Sequence, residues 1–338
     1  MTSLDAALIL TLLLFGPITV SAIERNLEVY CFVLGMVAAT LAGKWDRALL
    51  IGVARAPASI TIAVIVAGLG FARFRPTLDR QFARLRRALS RPLLTAAAII
   101  VIGLASSLIT AIVGALVLVE AIGMLRLGPP ARNNVAVAGC FAIGLGSALT
   151  PAGGPFSAIV ANGLGLHFFD LLGTLGAWLI PGVAALGLLA AYFARGDYDL
   201  IAEEMAVRER ARDALLQGGK IYAFVAGLAL IGAAYAPLAA RWVPRVGPNL
   251  LFWGNTVSAA LDNAALAALE AHGMTPVHVR PALLSMIISG GMLIPGNIPN
   301  IVCAGILDIR SAEWARVGVP IGLAILGICF AMLTLGGA

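Results

Sequence analysis

The stretch GNTVSAALDNAALAALEAHGM, residues 254–274, sets Asp262 and Asn263 inside a run of Ala, Leu and Val. Between Arg245 and Glu270 no other charged residue accompanies Asp262. A carboxylate at the centre of a bilayer costs about 2.5–3.5 kcal/mol on insertion scales, so it needs a partner, a proton, a bound cation or a water-filled cavity. The stretch also recurs in outline. Glu270-Ala271-His272-Gly273-Met274 closes it, and Glu120-Ala121-Ile122-Gly123-Met124 closes an apolar segment 150 residues earlier. Each is followed by a P-x-x-x-P break: TPAGGP at 150–155, with Pro151 and Pro155, and IPGNIP at 294–299, with Pro295, Gly296 and Pro299. Proline removes a backbone donor and interrupts a helix, which membrane proteins tolerate where the freed groups line a cavity. The common order of hairpin, broken helix and span predicts a duplicated unit, an architecture common among secondary transporters.

The surrounding chain fits that reading. Of 338 residues, 60% are hydrophobic and 12% charged, with a mean hydropathy of +0.97, well outside the soluble range. Apolar stretches of about 20 residues, the length that crosses a hydrocarbon core, recur throughout. The expected fold is an all-α polytopic membrane protein forming a single membrane domain over 1–338. In it, an inverted-repeat transporter has about eight spans, two re-entrant hairpins and two broken helices. The first repeat covers 49–194, with its hairpin at 92–124 and broken helix at 134–166. The second covers 219–336, with its hairpin at 249–274 and broken helix at 281–309. Ordinary spans are expected at 5–22, 27–43, 49–71, 168–194, 219–240 and 316–336. The run Ala6–Val20 follows Asp5 without a basic start or a cleavage site, and reads as a retained span. Asp170 and Asp5 read as span-end residues, and Glu120 and Glu270 as solvated or snorkelling ends of their hairpins.

Charge sets the orientation. FARFRPTLDRQFARLRRALSR, 71–91, holds seven arginines and is expected to be cytoplasmic, at the inner membrane. Its apolar residues recur every three or four positions, so it reads as a helix lying on the anionic inner leaflet rather than as a nucleic-acid site. Threading the spans from there gathers sixteen basic residues on the inside and five outside, Lys44, Arg47, Arg241, Arg245 and Arg280. The two repeats then enter from opposite faces, and both termini lie outside.

Hard cations take oxygen ligands, and a protonatable carboxylate among amides and hydroxyls suits sodium or proton binding. The candidate ion-binding residues are Asp262, Asn263, Asn255 and Thr256, with Ser258, from the second hairpin. Asn297 and Asn300 join them from the second break, Ser147, Thr150 and Ser157 from the first, and Ser106, Ser107 and Thr110 from the first hairpin. Half-helices ending at such breaks direct backbone carbonyls toward cations and amides toward anions. Asp262 has an alternative partner in Arg55. Serines and threonines in membrane helices often bond their own backbone, so the constellation carries more weight than any single member. The cysteines Cys31, Cys140, Cys303 and Cys329 lie singly and read as packing residues. No phosphate loop is present, and no cofactor beyond a coupling ion, sodium or proton, is expected.

SAALDNAALAALE, 258–270, and ALTPAGGPFSAIV, 148–160, resemble the hairpin and broken-helix motifs of the sodium/proton antiporter and arsenite transporter branch of the ion transporter superfamily. SGGMLIPGNIPNIV, 289–302, is similar to a small group of predicted cation transporters. The resemblance spans roughly residues 92–315. It implies an inverted-repeat transporter, commonly a homodimer, with coupling-ion sites at hairpin tips and helix breaks, and it carries a cation site onto Asp262, Asn263, Asn297 and Thr150. The first hairpin, SSLITAIVGALVLVEA, departs from the pattern by lacking an Asp-Asn or Ser-Asn-Thr counterpart. Gly154 stands where the predicted cation transporters would be expected to carry an acid.

The reading that follows is a secondary transporter exchanging sodium or another monovalent cation for protons, with Asp262 as the carrier carboxylate and the bilayer and a small inorganic ion as partners. The alternative is cation-coupled movement of a small anion, an oxyanion or carboxylate. An intramembrane protease is the rival of another class. It needs two carboxylates at one site, or a serine with His or Lys, and the expected spans offer Asp262 alone.

Overall fold

The structure, a computed structural model, describes residues 3–20, 22–23, 26–47, 49–55, 58, 62, 89–195, 211–242, 245–260, 263–270, 274 and 276–335. Asp262 and residues 71–88 of the arginine-rich segment lie outside the described residues, as does most of the span expected at 49–71. Among the described residues the fold is helical and contains no strand.

Two N-terminal helices, α1 (Ser3–Thr19) and α2 (Leu27–Leu41), precede the first half. That half contains α3 (Arg91–Ile109), α4 (Ala111–Leu125), α5 (Pro129–Ser147), α6 (Pro155–Leu164) and α7 (Asp170–Phe193). After α8 (Ala211–Trp242) the second half follows with α9 (Pro248–Gly254), a 3-10 turn over Asn255–Ala259, α10 (Asn263–Glu270), α11 (Pro276–Gly290), α12 (Ile298–Leu307) and α13 (Ser311–Leu335). Among the described residues three helices, α3, α7 and α13, are long and apolar enough to cross a membrane. Their outward faces carry Val101, Leu108, Leu188 and Ile328, all more than 60% exposed. Apolar surface on that scale fits a lipid environment. The protein is an all-α membrane protein.

Helix starts and stops follow local chemistry. Proline stands in the first turn of α3, α5, α6, α9 and α12, where its missing N–H is one of the groups a helix start leaves unpaired in any case. The broken helix expected from residue 134 therefore begins at Pro129, because Pro129 and Pro130 open it rather than close the preceding loop. Asp170, the first residue of α7, accepts the His167 N–H at 2.7 Å and fixes the turn that leads into the helix. Helices α6 and α12 both stop at a left-handed residue, Gly165 with φ +65° and Asp308 with φ +52°.

The halves share part of their packing. In the first, α3 packs against α5, and both pack against α7; in the second, α9 and its 3-10 turn pack against α11, and α11 packs against α13. Close approach depends on small residues, as is general between membrane helices. A Cβ on Gly146 of α5 would lie 1.8 Å from the Gly103 carbonyl oxygen of α3. The two halves also exchange partners. The second piece of each interrupted helix lies against the other half, α6 on α10 and α12 on α4.

Candidate functional site

Between those exchanged pieces lies a cavity of about 220 Å³. Its wall is assembled from four places in the chain: Thr110 to Ile112 at the turn between α3 and α4, Gly144 with Ser147 and Gly154 to Ser157 around the first break, Asn263 and Ala264 at the start of α10, and Asn297 and Ile298 at the second break. Helices α4, α6, α10 and α12 all begin here, so the positive dipole ends of four helices meet at one space. The last turn of α5 ends beside it at Ser147, adding backbone oxygen of opposite polarity. Among the described lining residues there is no charged side chain. Asn263, Asn297 and Ser157 are buried, so their polar atoms are available to the cavity rather than to bulk water.

Of the ion-binding candidates read from sequence, the structure brings five to this wall, Thr110, Ser147, Ser157, Asn263 and Asn297, together with Gly154 and Pro155 of the first break. Ser147 donates to the Gly144 carbonyl at 3.2 Å and Ser157 to the Gly154 carbonyl at 3.0 Å, leaving hydroxyl lone pairs free to accept. The Asn297 amide lies over Gly144, where an added Cβ would come within 3.0 Å of its Nδ2. Thr110 has φ +74° and ψ 149°, and its hydroxyl accepts the Val113 N–H at 3.4 Å.

Other candidates hold the breaks in shape. Thr150 donates to the Ser107 carbonyl, tying the first break to the end of α3. Asn300 is fully buried and donates through Nδ2 to the carbonyls of Gly290 and Leu293, both at 2.8 Å, satisfying oxygens that the interruption frees. Its Oδ1 and the hydroxyl of Ser289 are buried without a hydrogen-bond partner. The Trp314 indole donates to Gly291 at 3.1 Å and completes the brace from α13. Ser106, Ser107 and Thr256 donate to Ile102, Leu104 and Trp253 in their own helices, and Ser258 donates to Met286 on α11. These four do not line the cavity.

Asn255 belongs to a different constellation. It lies away from the cavity and donates through Nδ2 to Glu270 Oε2 at 3.0 Å. Glu270, read from sequence as a solvated or snorkelling hairpin end, is 2% exposed. Helix α9 is short and continues as a 3-10 turn, and that geometry carries Asn255 across to the carboxylate. Sequence position near a loop gave no measure of depth here. Ser289 was likewise missed, since one serine in an apolar helix has no distinguishing signal. All four cysteines are buried and free; Cys140 on α5 donates to the Pro299 carbonyl at 3.5 Å and Cys303 on α12 to the Ala115 carbonyl at 3.6 Å, consistent with packing roles.

Fold and site together define an all-α membrane protein with a polar internal cavity at two helix interruptions. Over residues 3–335 the sequence matches the family described as "Protein of unknown function (DUF1646)", and the chain belongs to that family. No curated protein matches it.

Proposed function

We propose that this protein is a secondary active transporter of the inner membrane that exchanges a monovalent cation, sodium foremost, for protons. The carrying observation is the meeting of Thr110, Ser147, Ser157, Asn263 and Asn297 around one small cavity at both helix interruptions. Oxygen-bearing side chains without a basic group suit a hard cation. Asp262 precedes Asn263 in sequence and is the residue we assign as the carrier carboxylate, alternately binding cation and proton. The buried, unpartnered Oδ1 of Asn300 and hydroxyl of Ser289 add acceptors behind the second break. The exchange of α6 and α12 between halves supports reading the chain as an inverted duplication in which 92–124 and 249–274 are re-entrant hairpins. The proposed assembly is a homodimer.

One observation favours a second reading. Four helix N-termini at the cavity would stabilise a small oxyanion or carboxylate, moved together with a cation. Reconstitution in liposomes containing a pH-sensitive dye separates the two. Sodium added to vesicles with an acid lumen should dissipate the pH gradient. Asp262→Asn should abolish that response, and Asn263→Ala or Asn297→Ala should weaken the apparent sodium affinity about tenfold, the equivalent of about 1.4 kcal/mol. If sodium, potassium and lithium all fail to move protons and sodium instead drives anion uptake, the second reading takes its place.

A further inference from the structure

Glu270 is the buried acid that the central cavity does not use. It ends α10, the helix whose first residue, Asn263, lines that cavity. Seven residues separate the two, about 10 Å at 1.5 Å per residue. On the far side lies a larger cavity of about 890 Å³, lined by Phe252 of α9, Met274 beyond α10, Leu164 at the end of α6 and Arg280 of α11. Phe252 comes three residues before Asn255, and Met274 four residues after Glu270. Neither Asn255 nor Glu270 lines either cavity; the pair ties the 3-10 turn after α9 to the end of α10, within four residues in sequence of the larger cavity's wall.

A structural brace at that point would need no acid, since two amides or a hydroxyl and an amide would serve. A buried carboxylate whose observed donor is one neutral amide is costly to keep charged, because burying an ion without a counter-ion costs several kcal/mol. A proton removes that cost. Among the elements packed against α10, α6 and the 3-10 turn carry no titratable group, and neither does α9. Helix α11 carries His278 and Arg280. Helix α8 carries Arg212, Asp213, Lys220, Tyr222, Tyr235 and Arg241, of which Tyr222 and Tyr235 donate to the carbonyls of Ala54 and Ala6. The pair is also particular to the second half. At the offset of 150 that aligns Glu270 with Glu120, the counterpart of Asn255 is Ala105, and Glu120 is only half-buried.

We infer that Glu270 is a second proton-binding site, which takes a proton from water in the outer cavity and hands it toward the central cavity, with Asn255 holding the carboxylate between transfers. One proton enters and one leaves, and the carboxyl group returns to its starting state. This rests on the cation–proton exchange proposed above. The test uses the full chain in proteoliposomes and dicyclohexylcarbodiimide, which adds to protonated carboxyl groups in apolar surroundings, with the modified residue located by peptide mass spectrometry. Labelling of Glu270 should rise as pH falls. Glu270→Gln should slow sodium-driven proton movement at least tenfold at the alkaline end of the profile, where proton capture limits, while Glu270→Asp keeps the profile's shape. Wild-type exchange with Glu270 unlabelled at every pH overturns the inference, as does a Glu270→Gln profile that superimposes on wild type. If no cation moves protons through the wild-type protein yet Glu270 labels with the expected pH dependence, the exchange reading fails and the proton site stands.

Discussion

At Thr110 a β-branched residue occupies φ +74° and ψ 149°, backbone territory that belongs to glycine. Holding a residue there costs about 1–3 kcal/mol, and such strain persists where surrounding structure enforces it, commonly at ligand sites. Thr110→Gly should therefore stabilise the detergent-solubilised protein by a net amount of about 1 kcal/mol, once the extra freedom of glycine in the unfolded chain is subtracted. Transport should fall at the same time, because a cavity-lining hydroxyl is lost. A thermal melt alongside the liposome assay checks both; a lower melting temperature would contradict the strain argument. Thr110, Ser147, Ser157, Asn263 and Asn297 were legible in sequence because interruption residues reveal themselves by proline and by polar side chains in apolar runs. Ser106 and Thr256 have the same composition signal, yet helical phase turns them onto their own backbones. Glu270 was misplaced because the number of residues to the nearest loop says little about depth when the helix between is as short as α10.

At the scale of the element, the two interruptions are held in different ways. The first leans on α3 through Thr150, while the second is closed from within by Asn300 and from α13 by Trp314. Asn300→Ala strips the donor from the buried Gly290 carbonyl and the part-buried Leu293 carbonyl at once. With about 1–1.5 kcal/mol for each lost bond, the expected destabilisation is about 2–3 kcal/mol, read as a lower melting temperature with the cavity-lining residues untouched. The interruptions themselves were visible as paired prolines. The opening of α5 by Pro129 and Pro130 was not, since the same dipeptide equally marks a loop, and only the helix that follows decides. The 3-10 continuation of α9 was hidden for a related reason: Asn255 to Ala259 carries neither proline nor glycine, and its pitch is set by packing against α11.

For the whole molecule, chain ends sort into two groups. Asn133 at the start of α5 donates to Glu313 at the start of α13 at 2.9 Å, whereas Leu164, Pro248, Met274, Arg280 and Thr334 gather around the outer cavity. In a variant freed of the four buried cysteines, a cysteine placed at Gly128 should react with a membrane-impermeant maleimide only from the cytoplasmic side, and one at Gly247 only from outside. Labelling of both from one side would remove the inverted arrangement. Biogenesis inherits a delay from the exchange of α6 and α12 between halves. The face of α4 that receives α12 is complete once Leu125 has been made, but its partner ends at Leu307. At about 5–20 residues per second, the ribosome needs on the order of 10–40 s to cover that distance. Lipid or the insertion machinery must cover the unfinished wall in the interval, and must leave before α12 can dock there.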